Sequence, residues 1–421
     1  MILTIGLLAL FVLVGAPIIA SLGVVGTIDG LMQGLPLTNI AQAMYHGVDS
    51  FTLLAVPLFI LAGEILFHSG SAGRLVNFMN LLVGRVPGGL GVSAVASTMV
   101  FSGLSGSVNA DAAAISSAML PSMEKAGYRK EWSSAIIAAA AGTGILIPPS
   151  ITIIVLATVA NMSVTKLFLA ATLPALLVGI TKMLIIMYRA RSEPPVAPVH
   201  FSVRELCRAF LLAIPALGAP IIILGGIFMG FFTATESAAA AVAYVTIITL
   251  LQRSIPRRAW LGILIKAGRT SAIVLSLVGV AQILGYMLAY NSVGEQVADF
   301  ASQLTGNKFV FTVFIVVVFW LLGALLDGIP ALILLIPLFL PIAQDAGFSD
   351  IHFAILAIAI VGISLVTPPI GTACFIVTGV ANIRMVNLVR PMLPFMAIMF
   401  VTILLLAFVP AFSEWLPHLL Y

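Results

Sequence analysis

The chain has 421 residues, of which 61% are hydrophobic and 8% are charged. A soluble domain averages about 25% charged residues, so this composition excludes an ordinary water-soluble protein and indicates a chain surrounded mostly by lipid. The two cysteines indicate neither a disulfide framework nor a metal cluster. The net charge of +4 points to nucleic acid only if the basic residues form one exposed patch.

The first apolar segment begins at Ile2 and has no basic region before it, which favours a membrane segment over a cleaved signal peptide. Gly15-Ala16-Pro17 interrupts the segment. We therefore predict two short passes, 2–14 and 17–33, with the N-terminus on the periplasmic side. One kinked helix over 2–33 is the alternative.

A re-entrant helical hairpin is predicted over residues 88–121. Both ends lie among basic residues, which places them on the cytoplasmic side, and the segment breaks in the middle. The tip carries Ser105, Gly106, Ser107, Asn109 and Asp111. Ser105 and Ser107 are candidate Na⁺-site residues, and Ser105, Gly106 and Asn109 are candidate substrate contacts. A carboxylate inside a membrane segment is costly and is a functional candidate by default. Asp111 is therefore a candidate cation ligand, and a cap on the second half-helix is the alternative.

A helix broken by two adjacent prolines is predicted over residues 132–164. A break frees carbonyls at the end of one half-helix and amides at the start of the next, and these ends suit Na⁺ and a carboxylate respectively. Glycine lets the backbone turn, and proline donates no amide bond. The break supplies the candidate Na⁺-site residues Gly142, Gly144 and Pro148, and the candidate substrate contact Ser150.

The second half begins with predicted passes near 207–231, 235–251 and 271–290, and with an interfacial amphipathic helix over 256–268. Thr233-x-x-Glu236 fits a capping box. The apolar stretch 309–343 breaks at 326–330 and has acidic residues near both ends, which predicts a hairpin from the periplasmic side. Asp327 at its tip is a candidate cation ligand or a cap.

A second double-proline helix is predicted over 352–383, and a last pass over 389–411. The predicted break in the double-proline helix contains Gly362, Thr367, Pro368-Pro369, Gly371 and Thr372. By the same reasoning Gly362, Thr367 and Gly371 are candidate Na⁺-site residues, and Thr367 and Thr372 are candidate substrate contacts, because their hydroxyls are hard oxygen ligands and hydrogen-bonding groups.

An offset of 220 residues relates the two halves. It pairs Pro148-Pro149 with Pro368-Pro369, Ala126-Gly127-Tyr128 with Ala346-Gly347-Phe348, and Pro174 with Pro394. We assign residues 1–205 to the first repeat and 206–421 to the second. Because the two hairpins enter from opposite faces, the repeats are inverted.

With alternating passes, most of the 19 Lys and Arg residues fall on one face. This is the positive-inside pattern of a cytoplasmic face. The excess of basic residues is therefore explained by the orientation of the chain in the membrane and gives little support to nucleic-acid binding. The chain is predicted to be an all-α polytopic membrane protein, an inverted repeat with two opposed re-entrant hairpins and two discontinuous helices. Interrupted segments at corresponding positions of two halves indicate the binding site of a secondary transporter.

The chain resembles the large membrane subunit of tripartite ATP-independent periplasmic (TRAP) transporters. The resemblance covers essentially the whole chain in the right order. The matching stretches are residues 57–64, Ser105-Gly106-Ser107 with Ala110-Asp111, Ile147-Pro148-Pro149-Ser150-Ile151, residues 225–240, and Thr367-Pro368-Pro369-Ile370-Gly371.

The resemblance implies a Na⁺-coupled importer of an organic acid in the bacterial inner membrane, working by an elevator mechanism without an organic cofactor. It implies two partners, a small membrane subunit and a periplasmic substrate-binding protein. The first cation site would involve Ser105, Asp111 and the 142–150 loop, and the second the Asp327 tip and the 362–372 loop. The substrate would lie between them.

A carboxylate carrier or antiporter with the same inverted plan and no periplasmic partner stays open, as does the identity of the acid: sialic acid, a dicarboxylate, a keto acid or a sugar acid. Gly103-Leu104-Ser105-Gly106 matches the motif of an intramembrane serine protease, but no later histidine falls mid-membrane to act as its base. A simple channel does not need paired hairpins.

Overall fold

The computed structural model describes residues 6–7, 10–11, 14–192, 202–291 and 308–420. Within these ranges the regular structure is helical. The first set of helices is α1 (Ile18–Met32), α2 (Leu37–Val48), α3 (Ala55–His68), α4 (Ser71–Val83), α5 (Gly89–Ser105), α6 (Val108–Lys125), α7 (Lys130–Ala141), α8 (Ile151–Val159) and α9 (Val164–Arg189). The second set is α10 (Val203–Phe228), α11 (Ala234–Leu251), α12 (Ala259–Tyr290), α13 (Lys308–Leu326), α14 (Gly328–Asp345), α15 (Asp350–Ser364), α16 (Thr372–Ala381), α17 (Met385–Phe408) and α18 (Ala411–Leu420).

Both predicted hairpins and both broken helices are present, which confirms the fold class. The first hairpin is α5 and α6, separated by Gly106 and Ser107, and the second is α13 and α14, separated by Asp327 alone. The broken helices are α7/α8 and α15/α16, and the Pro148–Pro149 and Pro368–Pro369 bonds are both cis. The division of the chain at residue 205 stays a prediction.

The ends of α6 and α14 show the duplication in atomic detail. Gly127 and Gly347 both adopt left-handed conformations, with φ of 92° and 80°. After them, the Tyr128 amide donates to the Met123 carbonyl at 3.0 Å, and the Phe348 amide donates to the Ala343 carbonyl at 2.9 Å. Each helix therefore ends in the same glycine-based Schellman cap, at positions that the 220-residue offset pairs.

In the described part of the chain, eight helices are long and apolar enough to cross a membrane. They are α9 to α14, α17, and α3 together with the 3₁₀ turn Phe51–Leu54 before it. The half-helices are shorter: α16 has 10 residues, or roughly 15 Å at 1.5 Å per residue. A half-helix of this length ends inside the bilayer, so its terminal carbonyls or amides must find partners within the protein.

The two repeats interlock around the breaks. The second helix of each hairpin packs against the second half-helix of the opposite repeat, α6 on α16 and α14 on α8. Helices α1 to α4 pack with α10, α11 and α12 into an outer group. This arrangement brings the hairpin tips and the two breaks into the middle of the molecule.

The predicted passes 207–231, 235–251 and 389–411 are confirmed as α10, α11 and α17. The prediction of a separate interfacial helix over 256–268 is wrong: α12 runs without interruption from Ala259 to Tyr290, because no proline or other break divides the basic segment from the apolar pass. The predicted pass 17–33 is confirmed as α1, which follows a turn at Gly15 (φ 80°). Much of the predicted pass 2–14, with the N-terminus, lies outside the described residues.

Candidate cation and substrate site

The first hairpin tip places a carboxylate in the protein interior. Helix α5 ends at Ser105, Gly106 turns the chain with φ of 56°, and the Ser107 hydroxyl caps α6 by accepting from the Ala110 amide at 3.3 Å. Ser107 therefore fills the N-cap position that was the alternative role for Asp111. Asp111 lies in the first turn of α6 and is fully buried. Its carboxylate is therefore not the N-cap of this helix and can bind other groups.

Two hydroxyls from α5 converge on the Asp111 carboxylate. Ser102 donates to Oδ2 and Ser105 donates to Oδ1. Ser102 and Ser105 are three residues apart on one helix and so face the same direction. An ionised carboxylate at this depth needs such donors or a cation to offset its lost hydration.

The first break brings its backbone onto the same carboxylate. A Cβ added to Gly144 would lie 2.5 Å from Asp111 Oδ2 and 2.6 Å from Ser102 Oγ. Any larger residue at this position would collide with both oxygens. Ser102, Ser105, Asp111 and Gly144 thus form one oxygen-rich cluster, which we call the Asp111 cluster. Pro148 and Ser150 are buried further along the loop, where the Ser150 hydroxyl donates to the Ile145 carbonyl at 2.8 Å.

The second repeat is built differently at its tip. Asp327 has a φ of 69° and caps α14, its carboxylate accepting from the Gly328 amide at 2.8 Å. At the break, the Thr367 hydroxyl donates to the Ile363 carbonyl at 2.8 Å and accepts from Trp320 Nε1 at 3.0 Å. Gly371, the N-cap of α16, is buried, and Gly362 lies inside α15 rather than in the break, which begins after Ser364.

The two broken helices meet at glycines that the 220-residue offset pairs. A Cβ on Gly142 would lie 2.8 Å from the Gly362 carbonyl oxygen, and a Cβ on Gly362 would lie 2.8 Å from the Gly142 carbonyl oxygen. The contact is the same in both directions, as expected at the axis that relates two repeats. A hydrogen bond also crosses between the repeats, from the Thr372 hydroxyl to Asn109 Oδ1 at 2.9 Å.

Both hairpin tips line one cavity of about 550 Å³. Of the predicted site residues, it is lined by Ser105, Gly106, Ser107, Asn109 and Asp327. The remaining predicted residues do not line it; they are Asp111, Gly142, Gly144, Pro148, Ser150, Gly362, Thr367, Gly371 and Thr372. The structure thus separates a cavity formed by the tips from a buried layer of polar groups behind it.

Four polar residues around these features were not predicted to belong to the site. Glu64 and Lys266 line the cavity opposite the tips and form an ion pair, with Lys266 Nζ 3.0 Å from Glu64 Oε2. Ser102 joins the Asp111 cluster, and Lys182, which lies in the apolar part of helix α9, is fully buried beside the first break. A lysine deep in an apolar segment is itself a detectable signal, whereas the Glu64 pair depends on how α3 meets α12.

The fold and the site define a class of protein, a polytopic membrane transporter with inverted repeats. The model of the family described as "Tripartite ATP-independent periplasmic transporter, DctM component" matches residues 5–412. The chain belongs to this family, and is therefore a transport permease of the bacterial inner membrane and not an enzyme. Its resemblance to TRAP large subunits is confirmed.

Several similar proteins span nearly the same length, and one is longer. Identity is 36% to the uncharacterized protein YgiK of Salmonella typhimurium, over 98% of this chain and 96% of that one. It is 33% to the sialic acid TRAP transporter large permease protein SiaM of Vibrio cholerae, over 90% and 89%. It is 34% to the isethionate TRAP transporter permease protein DctMQ of Oleidesulfovibrio alaskensis, over 96% of this chain but 64% of that longer protein.

Among solved structures, the YdaH transporter of Alcanivorax borkumensis has a similar fold. The TM-score is 0.57 over 84% of each chain, at 16% sequence identity. This likeness supports the transporter fold and carries no information about substrate.

Proposed function

We propose that the chain is the transport subunit of a TRAP complex that imports an organic acid anion, driven by Na⁺ and working by an elevator movement. The observation that carries Na⁺ coupling is the Asp111 cluster, a fully buried carboxylate with two hydroxyls against it, inside a membrane protein. Hard oxygen donors at an unwound helix are the ligands that transporters use for Na⁺. The second cation site is proposed between the second hairpin tip and the second broken helix, with Asp327, Gly362, Thr367 and Gly371.

The cavity supports an acidic substrate. The tip of the first hairpin presents Ser105, Ser107 and Asn109, together with the start of α6, whose amide end favours an anion. Lys266 on the opposite wall supplies an ammonium, already paired with Glu64. Relatives are named for sialic acid and for isethionate, one a carboxylate and the other a sulfonate, so an anionic group is the feature that we expect the cavity to recognise.

Partners follow from the family. A TRAP large permease works with a substrate-binding protein and usually with a small membrane subunit. We propose that this chain works with a separate small subunit and with a periplasmic protein that delivers the acid. The similar DctMQ protein is longer than this chain, which covers 64% of it, as expected if the two membrane subunits are joined there.

The test is uptake into vesicles that contain the reconstituted complex, with an imposed Na⁺ gradient and a panel of carboxylates and sulfonates. We expect saturable uptake that requires both Na⁺ and the binding protein. Uptake without the binding protein would instead support a stand-alone carrier, and uptake that does not respond to Na⁺ would contradict the coupling.

Variants connect this assay to the Asp111 cluster. Asp111→Ala or Ser105→Ala should raise the Na⁺ concentration needed for half-maximal uptake by roughly tenfold or more, since a lost charged hydrogen-bond partner costs about 1.5–3 kcal/mol. Ser117→Ala is the matched control: Ser117 lies on α6 like Asp111, but it is exposed and its hydroxyl bonds only to Ala113 of its own helix. Unchanged Na⁺ dependence in both test variants would remove the assignment.

A further inference from the structure

Lys182 is a positive charge placed beside the first break. It lies on α9, its side chain is fully buried, and its ammonium donates to the Ala139 carbonyl at 2.6 Å and to the Thr143 hydroxyl at 2.5 Å. A buried ammonium is costly in a membrane protein and is kept where it pairs with other groups or with backbone carbonyls. Both of its acceptors belong to the end of α7 and the loop that follows.

The break is what makes the Ala139 carbonyl available. In a continuous helix the Thr143 amide would bond to Ala139, four residues earlier. Here it bonds to Ala140 at 3.0 Å, and the Gly144 amide bonds to Ala141 at 2.9 Å. The tightened last turn of α7 leaves the Ala139 carbonyl facing Lys182, at the negative end of the helix dipole.

The second repeat has no charge at the corresponding place. The 220-residue offset pairs Lys182 with Thr402. The Thr402 hydroxyl donates to Ile398 in its own helix at 2.7 Å and to the Thr181 hydroxyl at 3.4 Å. At the second break, the carbonyl of Ile363, which the offset pairs with Thr143, accepts a hydrogen bond from the neutral hydroxyl of Thr367 at 2.8 Å. The two repeats therefore satisfy the carbonyl end of their broken helices by different chemistry.

We propose that Lys182 is a tethered cation, whose ammonium occupies the carbonyl end of α7 in place of a free monovalent cation and holds the loop at residues 142–144 in position. Thr143 is bonded to Lys182, and the next residue, Gly144, packs on the Asp111 carboxylate. The loop thus lies between a fixed positive and a fixed negative group. Lys182 is a positioning residue, since it acts on the Asp111 cluster through the loop.

Chemical rescue tests the proposal. Lys182→Ala removes three carbons and the ammonium, which propylammonium restores in size and charge. In choline chloride without Na⁺ or substrate, the purified complex that carries Lys182→Ala should melt at a lower temperature than the wild-type complex. Propylammonium should recover at least half of the lost melting temperature, because a ligand of the native state stabilises it, whereas 1-propanol should recover little. Because this readout needs neither transport nor Na⁺, it fails or succeeds independently of the proposed coupling.

Two further variants complete the test. Lys166→Ala is the control, because Lys166 lies on the same helix but is exposed, and its melting temperature should not respond to propylammonium. Lys182→Met keeps the volume and removes the charge, so it should melt below the wild type even if Lys182→Ala fails to fold. Equal rescue by propanol, rescue by neither compound, or a Met variant as stable as the wild type would overturn the proposal.

Discussion

At the scale of single residues, small side chains decide how closely the polar groups of the site can approach. Gly144 brings loop backbone against the Asp111 carboxylate, and Gly142 and Gly362 bring the two broken helices into contact. Side-chain size matters here because backbone at a break is held by its neighbours and shifts less easily than a surface loop. Each of these positions therefore requires a residue without a Cβ, which can be tested by replacing the glycine with alanine.

Gly144→Ala should disturb the Asp111 cluster without removing any of its oxygens. The new Cβ would lie 2.5 Å from Asp111 Oδ2 and 2.6 Å from Ser102 Oγ, and relieving such overpacking costs about 1–3 kcal/mol. We expect Na⁺-driven uptake to fall about tenfold, with a higher Na⁺ requirement. Gly379→Ala is the control, since a Cβ there meets nothing within 4 Å. A Gly144 variant with the kinetics of the control would show that the cluster does not bind the coupling ion.

The sequence could identify part of this site and not the rest. Asp111 stands out because carboxylates inside membrane segments are rare, and Ser105 because it lies at the hairpin break. Ser102 does not stand out, because serines are common in apolar helices. Whether its hydroxyl faces Asp111 depends on where the hairpin tip ends α5. Lys182 stands out as a charge, but its partners depend on how α9 crosses α7, which no local pattern encodes.

At the scale of helices, the duplication was the most informative signal. Breaks at prolines and glycines are local, so both hairpins and both discontinuous helices were predictable from sequence. The capping box was predictable for the same reason: the Thr233 and Glu236 side chains bond to each other's backbone amides.

The prediction of a separate helix over 256–268 was wrong, because amphipathic composition indicates where a helix lies in the bilayer and not where it ends. Of its basic residues, Arg257 and Arg258 precede α12, with Arg258 at the N-cap, and Lys266 lies within the helix.

The hydrogen bond between Thr372 and Asn109 joins α16 to α6 across the two repeats. If it stabilises the interface between repeats, Thr372→Val and Asn109→Ala should be coupled, with the double variant losing less stability than the sum of the single losses by about 0.5–3 kcal/mol. Melting of the purified complex measures this. Thr378→Val is the matched control, because the Thr378 hydroxyl bonds within α16, to Cys374 at 2.8 Å. Additive losses for both pairs would mean that the cross-repeat bond contributes nothing.

At the scale of the whole molecule, the cavity lies between two groups of helices. Its walls come from the hairpin tips on one side, and from Glu64 on α3 and Lys266 and Thr270 on α12 on the other. A movement of the hairpins and broken helices past the outer group would therefore change which residues line the cavity. Such a movement is the elevator mechanism proposed above, and the cavity position makes it testable at the two tips.

Single cysteines at the tips should report this movement. Cys207 is exposed and Cys374 is buried, so the background carries Cys207→Ser and Cys374→Ala. Ser107→Cys and Ile329→Cys then place thiols at the cavity wall, and a membrane-impermeant maleimide measures their accessibility. We expect both labelling rates to change severalfold when Na⁺ and substrate are added together, because the tips change their surroundings. Leu419→Cys, at an exposed position on α18, should label at a constant rate. Tip labelling that stays as constant as that of Leu419→Cys, in a complex that still transports, would contradict an elevator.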